Sequence, residues 1–123
     1  PIADAASPAQ SRDKNGPLAV LLSSCCYDQT KFLGGIAVNL KFAKSSFGPR
    51  SEENLLALIK TYFARGGFQL QVNSVDAETL RAALKDPDSY RDLVVRIGGY
   101  SDFFVGLNPN MQQEILLRTE HGI

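Results

Sequence analysis

Segments with the periodicity of strands and of helices alternate along this chain, and this alternation limits the fold more than any other feature. Apolar residues recur at every second position over 36–42 and 68–72, and 93–97 is a buried-looking apolar run, which predicts three strands. Residues 51–65 and 77–85 have apolar positions three and four apart, which predicts two intervening helices. This order indicates α/β packing with parallel strand pairing. Three strands leave open sheet edges, so we expect the chain to form part of a larger barrel or sheet.

Turn and capping residues predict where the helices begin and end. The predicted starts carry residues that favour a helix N-terminus, namely Pro17, Ser51, Asp76 and Pro109. Gly66-Gly67 and Pro87 are expected to end the second and third helices. The inner face of the first helix is expected to carry Leu18, Leu21, Leu22 and Cys25, and that of the last helix Met111, Ile115 and Leu116.

Charge and cysteine usage exclude several classes of partner and site. Lys and Arg number 13 and so do Asp and Glu, for a net charge of zero, whereas nucleic acids and anionic membranes select basic surfaces. No apolar run approaches the ~20 residues of a membrane helix, and no signal peptide is recognisable. The two cysteines are adjacent and so do not form a disulfide framework, which leads us to expect a reduced, cytoplasmic setting. A single histidine cannot build a zinc site with them. Because Pro1 and not Met comes first, we expect a processed chain or a piece of a longer one.

Gly98 and Gly99 end the third predicted strand. Two glycines there usually mark a bulge, a tight turn or a close backbone approach. A glycine Cα can also lose one hydrogen atom and leave a planar radical, delocalised between the neighbouring amide nitrogen and carbonyl. A side chain at that carbon would clash with the planar geometry and offer its own hydrogens to abstraction. The flanking apolar residues predict a dry setting for such a radical: Val94, Val95, Ile97, Tyr100, Phe103 and Phe104.

The stretch Val95-Arg96-Ile97-Gly98-Gly99-Tyr100, followed by Gln112 and Arg118-Thr119-Glu120-His121, resembles the C-terminal signature of glycyl radical enzymes. That family includes pyruvate formate-lyase and its dehydratase, decarboxylase and amine-lyase relatives. Further likeness lies in Ser7-Pro8, Asp13 to Pro17, Gly34 to Phe42, Phe68 to Asn73 and Asp88 to Leu93. The resemblance implies a glycine radical domain over residues 1–123 with its loop at about 94–105. It also implies the C-terminal βαβαβ portion of a ten-stranded β/α barrel.

In the family signature the radical glycine immediately precedes the tyrosine, which implies Gly99 and not Gly98. Arg96, Gly98 and Tyr100 are then supporting residues. Gly98 departs from the Ser, Ala or Cys that the family usually has before the radical glycine. Asp102 stands where formate-lyases commonly have a small apolar residue, which favours the dehydratase, decarboxylase and amine-lyase branch.

The resemblance also implies partners and a reaction. An activating enzyme with an iron–sulfur cluster and S-adenosylmethionine would abstract hydrogen from Gly99, so this chain's cofactor would be its own glycyl radical, with no bound cofactor or metal. The Gly99 radical would oxidise an upstream cysteine, outside these residues, to a thiyl radical that attacks substrate. The full-length enzyme would be an oxygen-sensitive cytoplasmic homodimer of anaerobic metabolism. It would catalyse radical elimination on a small polar substrate (dehydration, C–N cleavage or decarboxylation), and this chain alone would be inactive.

Two alternatives from other classes remain open. Short stand-alone glycyl radical cofactor proteins resemble the same C-terminus and repair a damaged pyruvate formate-lyase, although their beginnings are unrelated to residues 7–42 here. The chain could also be an α/β interaction module in which Gly98-Gly99 is only a turn.

The remaining polar residues receive structural interpretations. Cys25 and Cys26 are expected to pack and not to relay a radical, and Arg96 is expected to pair with a buried carboxylate. Tyr100 positions the loop or packs on it, and His121 is expected at the surface. The strand residues expected to be hydrogen-bonded structure, with a substrate cavity as the alternative, are Asn39, Gln71 and Asn73.

Overall fold

The computed structural model describes residues 6, 8–9, 12–118 and 120–123. Its four α-helices are α1 (Gly16–Ser24), α2 (Ser51–Ala64), α3 (Ala77–Lys85) and α4 (Pro109–Leu117). Its five strands are β1 (Ala37–Phe42), β2 (Gln69–Asn73), β3 (Val94–Arg96), β4 (Ser101–Phe103) and β5 (Glu120–His121). None of the helices in these ranges is long and apolar enough to cross a membrane.

A three-stranded parallel sheet lies at the centre of the described chain. Its strand order is β2-β1-β5, with Asn39 beside Gln71 and Lys41 beside both Asn73 and Glu120. The predicted α/β class and the parallel pairing of β1 with β2 are confirmed. Because β1 has a neighbour on each side and is covered on both faces, it is buried along nearly its whole length, where alternating burial was expected.

The third predicted strand does form at Val94–Arg96, but it lies outside the parallel sheet. It pairs antiparallel with β4, with Val94 opposite Phe103 and Arg96 opposite Ser101. Only residues 97–100 connect the two strands, and a parallel partner would have needed a crossover of a dozen or more residues. We call residues 94–103 the β3–β4 hairpin. The second neighbour of β1 in the parallel sheet is β5, a strand that the sequence did not predict.

The two faces of the sheet differ in chemistry. Val38, Leu40 and Phe42 point to one face and pack with a first apolar cluster that includes Val20, Leu21, Leu58 and Tyr62 of α1 and α2. The opposite face, which we call the polar face, carries the side chains of Asn39, Lys41, Gln71 and Asn73. The first three are buried although polar. A second apolar cluster joins the hairpin to α3 and α4 and contains Leu80, Ala83, Val95, Ile97, Phe104 and Ile115.

Several helix ends follow the sequence prediction. Pro17 lies in the first turn of α1, and the Asn108 side chain accepts a hydrogen bond from the Met111 N–H, 2.9 Å away, at the start of α4. Gly66 ends α2 with φ +88°, and the Gly67 N–H donates to the Tyr62 carbonyl as in a Schellman motif. Ile115 is buried in α4, as expected.

Other details of the helices differ from the prediction. In α1 the buried residues are Val20, Leu21 and Ser24, whereas Leu18 and Leu22 are substantially exposed. The N-cap of α2 is Arg50, because the Ser51 hydroxyl accepts from the Gly48 N–H at 2.6 Å and stabilises the preceding turn. Likewise, the Asp76 carboxylate accepts from the Lys44 N–H at 2.7 Å and does not cap its own helix. These side chains stabilise the turns beside β1.

Candidate functional site

Gly99 lies at the tip of the β3–β4 hairpin. The Ile97 N–H donates to the Tyr100 carbonyl at 2.9 Å and closes the connection. Gly99 has φ +86°, a left-handed conformation that glycine adopts without the strain other residues incur. A Cβ added to Gly99 would meet no heavy atom within 4 Å, so one side of its Cα faces open space in the described chain.

The dry setting expected around Gly99 is present on one side of the hairpin only. Val95, Ile97 and Phe104 are buried in the second apolar cluster. Gly99 is exposed, and about half the surface of Val94, Tyr100 and Phe103 is exposed as well. The expectation fails because alternate residues of a two-stranded hairpin point away from the cluster, and no described residue covers that outer side.

The polar face of the sheet holds the hairpin from beneath. The Gln71 side-chain oxygen accepts from Arg96 Nε at 3.1 Å and lies 3.4 Å from the donating Gly99 N–H. The Asn73 side-chain oxygen accepts from the Arg96 N–H at 3.2 Å. Asn73 thus binds the hairpin at β3, and Gln71 binds it both at β3 and at the tip. The contacts favour the interpretation of Gln71 and Asn73 as hydrogen-bonded structure.

Arg118, directly after α4, holds the same strand from another direction. Its Nη1 donates to the Arg96 carbonyl at 2.8 Å and its Nη2 to the Ile97 carbonyl at 2.9 Å. The Gln112 amide adds a bond to the Phe104 carbonyl at 2.9 Å, which ties α4 to the other end of the hairpin. Sequence reasoning named Arg118 and Gln112 as motif residues without a role, because nothing local in the sequence indicates which backbone they reach.

The Arg96 side chain does not have the predicted carboxylate partner in the described part of the chain. Its guanidinium donates to the Gln71 side-chain oxygen and, at 3.3 Å, to the Ser101 hydroxyl. Neutral acceptors replace a charged one here because the guanidinium is only partly buried and keeps access to solvent. The Arg96 side chain therefore bridges β2 and β4 across the hairpin.

His121 is buried, whereas the sequence led us to expect a surface residue. Its Nε2 lies 3.3 Å from an Asp13 carboxylate oxygen, and its ring packs edge-on against Phe42. Burial lowers the pKa of His121, and the nearby Asp13 carboxylate acts in the opposite direction. The preceding residue, Glu120, lies 3.0 Å from the buried Lys41 ammonium and also accepts from the Ala77 N–H. The Lys41–Glu120 pair holds β5 against β1, and the Asp13–His121 pair holds β5 against the segment before α1. Sequence reasoning missed both pairs.

The two cysteines lie on the other side of the sheet from Gly99. Cys25 is half-buried against the first apolar cluster, with its sulfur 3.8 Å from the Tyr62 carbonyl, while Cys26 is exposed. Burial raises the pKa of the Cys25 thiol, which disfavours the reactive thiolate. The structure therefore does not bring Cys25 and Gly99 together. Within the described residues, no group of three or more His, Cys, Asp and Glu residues could hold a metal ion.

Comparison with known proteins gives concordant matches. The family model described as "Glycine radical" matches residues 2–105. The probable dehydratase YbiW of Escherichia coli is 43% identical over 98% of this chain, and the trans-4-hydroxy-L-proline dehydratase of Clostridioides difficile is 40% identical over 98%. Among solved structures, the glycerol-bound B12-independent glycerol dehydratase of Clostridium butyricum superposes with a TM-score of 0.95 and 40% identity over the whole chain.

These matches cover only part of each relative. The chain spans about 15% of the length of YbiW and of the hydroxyproline dehydratase, and 16% of the glycerol dehydratase chain.

Proposed function

Because this chain belongs to the glycine radical family, we propose that Gly99 stores the organic radical of a larger glycyl radical enzyme. The observation that carries the proposal is the position of Gly99. The Gly99 N–H donates to Gln71, and Arg118 donates to the carbonyls of Arg96 and Ile97 just before it. The Gly99 Cα is open on one side. A radical carbon needs a fixed backbone and a path for one hydrogen atom to leave and return, and this geometry supplies both.

The exposure of Gly99 supports a role within a larger protein. A carbon-centred radical reacts with oxygen, so it must be covered in the active enzyme. In the described residues the outer side of the hairpin is uncovered, and Val94, Tyr100 and Phe103 present an apolar surface there. We propose that the rest of the enzyme packs on this surface and completes the dry site. The 15% share of the relatives' length that this chain spans agrees with such a remainder.

The reaction we propose has two hydrogen-atom transfers on Gly99. An activating enzyme with an iron–sulfur cluster and S-adenosylmethionine would generate the radical that removes one hydrogen atom from the Gly99 Cα. The Gly99 radical would then take a hydrogen atom from a cysteine thiol elsewhere in the protein, which restores the C–H bond and leaves a thiyl radical. Cys25 and Cys26 are unsuitable for this step because they lie across the sheet.

For the substrate we propose a small polar molecule that loses a leaving group next to a carbon radical. Relatives similar to this chain include dehydratases and an isethionate sulfite-lyase of Desulfovibrio desulfuricans, 41% identical over the whole chain. Their names share elimination from a small hydroxylated or sulfonated compound. A panel of glycerol, trans-4-hydroxy-L-proline and isethionate is therefore the first activity screen. From the family resemblance we further propose that the whole enzyme is a homodimer. We propose a cytoplasmic location because the activating enzyme needs S-adenosylmethionine.

The proposal is tested on the protein expressed at its encoded length and activated without oxygen. We expect a glycyl doublet in the electron paramagnetic resonance spectrum that is absent in Gly99→Ala and present in Gly98→Ala, because alanine is common before the radical glycine in the family. Exposure to air should cleave the backbone at Gly99, with fragment masses that mass spectrometry can assign.

A doublet that survives in Gly99→Ala would refute the assignment. So would the absence of any signal while a reference glycyl radical enzyme is activated in the same preparation. The repair-protein alternative predicts that the added chain restores activity to an oxygen-cleaved formate-lyase. We expect no such rescue, because similarity to long enzymes extends over 98% of the chain.

A further inference from the structure

We propose that Gln71 is a positioning residue for Gly99, whose N–H points at the Gln71 side-chain oxygen from the tip of the hairpin. The inference rests on the radical role proposed for Gly99 and adds a residue of the central sheet to that site. Gln71 belongs to β2, far from Gly99 in sequence, and is buried on the polar face. The sequence offered Gln71 hydrogen-bonded structure or a substrate cavity, and no role toward Gly99.

One oxygen atom serves two donors in this arrangement. Arg96 Nε lies 3.1 Å and the Gly99 nitrogen 3.4 Å from Gln71 Oε1. Both groups can only donate, so both require the oxygen and neither can use the nitrogen of the amide. The stronger, charge-assisted bond to Arg96 therefore fixes the orientation of the amide, and the oxygen remains directed at Gly99.

The other end of the amide supports a role beyond stability. Gln71 Nε2 is buried and has no hydrogen-bond partner among the described residues. A buried donor without a partner destabilises the fold, and an apolar side chain of similar length would avoid that penalty. An unsatisfied buried group of this kind calls for an explanation, and the aim of the oxygen at Gly99 provides one.

The Gly99 N–H is the appropriate atom to hold. A glycyl radical is stabilised when its singly occupied orbital overlaps the π system of the adjacent amide, so the orientation of the peptide plane between Gly98 and Gly99 matters. An acceptor fixed on the sheet limits rotation of that plane. Asn73 and Arg118 hold the N–H and carbonyl of Arg96, so the strand leading to this plane is fixed as well.

The test uses the protein at its encoded length with three variants. Gln71→Met removes the acceptor at similar length, and Gln71→Glu keeps an oxygen for both donors. Gln69→Met is the matched control, because Gln69 is an exposed residue of the same strand and the same face. Amide hydrogen exchange at Gly99, resolved by mass spectrometry of short peptides, reports the contact without any activation step.

We expect exchange at Gly99 to be about five-fold faster in Gln71→Met, as for the loss of one modest hydrogen bond, and unchanged in Gln71→Glu and Gln69→Met. After activation in D₂O, pulsed electron–nuclear double resonance should show a larger deuterium quadrupole splitting for the Gly99 N–D in Gln71→Met, because hydrogen bonding lowers that splitting. A merely structural role for Gln71 would not change this splitting.

Equal exchange at Gly99 in wild type and Gln71→Met would overturn the inference, and so would equal quadrupole splittings. If Gln71→Met does not fold, Gln71→Asn replaces it, since its shorter side chain withdraws the oxygen from Gly99 and the same faster exchange is expected. Failure of the radical role proposed for Gly99 can be distinguished from failure of the inference about Gln71. A wild type without a doublet would refute the function proposed for Gly99, while the exchange measurement would still decide whether Gln71 holds its N–H.

Discussion

Replacing Arg118 with methionine should release the β3–β4 hairpin while the parallel sheet remains folded. The Arg118 guanidinium donates to the Arg96 and Ile97 carbonyls at 2.8 and 2.9 Å. A hydrogen bond that involves a charged group contributes about 1.5–3 kcal/mol. Since the site is only partly buried, water can replace some of this contribution, so we take the lower value for each bond. The expected loss is about 3 kcal/mol, or roughly a 150-fold increase in the opening constant of the hairpin.

Native-state hydrogen exchange measures this opening directly. In Arg118→Met the backbone amides of residues 94–103 should exchange up to roughly 150-fold faster, while those of β1 change little. Arg118→Lys keeps the charge and can reach one carbonyl, so about half of the free-energy loss is expected. Arg91→Met is the control, because Arg91 pairs with Asp88 at the surface and such pairs contribute little.

Two outcomes would refute this account of Arg118. The first is equal exchange of the hairpin in Arg118→Met and Arg91→Met, which would mean that the two bonds to carbonyls contribute nothing. The second is a uniform increase over the hairpin and β1 together, which would mean that the residue stabilises the whole fold and does not hold the hairpin in particular. The distinction matters because only a local effect makes Arg118 part of the proposed radical site.

Two further predictions concern stability. Gly67→Ala should lower the free energy of unfolding in urea by about 2 kcal/mol, because the new Cβ would lie 2.4–2.5 Å from ring atoms of the buried Tyr62. Gly48→Ala is the control and should change stability little, since its Cβ would meet no atom within 4 Å. Equal effects of the two substitutions would contradict the steric argument. Because burial lowers the pKa of His121 below its ordinary value of 6.5, the unfolded chain binds its proton more readily. The contribution of His121 to stability should therefore be fully present above about pH 6.5 and be lost as the pH falls below it. In His121→Asn the free energy of unfolding should depend less on pH between about 7.5 and 5.5. An unchanged slope of that free energy against pH would refute the assignment.

The parts of the fold that sequence predicted well depend on local signals. The apolar spacing of α2, the start of α4 at Pro109 and the Gly66-Gly67 ending each depend on signals within a few residues, and all appear where expected. Gly99 was chosen from a resemblance in the same local stretch. Its assignment to the radical remains a prediction, and the structure adds its place at the hairpin tip.

The missed features depend on partners distant in sequence. The apolar run at 93–97 could predict a strand but not its neighbour, and the short connection through Gly98 and Gly99 makes that strand part of a hairpin. β5 has two residues, too few for any periodicity, and is fixed by the pairs Lys41–Glu120 and Asp13–His121. His121 looked like a surface residue because its burial depends on a carboxylate about a hundred positions earlier.

The polar face of the sheet has a physical reason that the sequence alone does not reveal. Apolar residues in place of Gln71 and Asn73 would spare the sheet the cost of holding amides away from water, since such amides require partners. The β3–β4 hairpin that lies on this face has Gly99 at its tip, and a glycine offers no side chain for packing. Such a tip can be held only through backbone N–H and C=O groups, which need polar side chains from the surrounding structure. Gln71 meets that need at Gly99, and Asn73 and Arg118 meet it at Arg96 on the strand that leads there, which is a physical reason for polar residues on a buried face of the sheet.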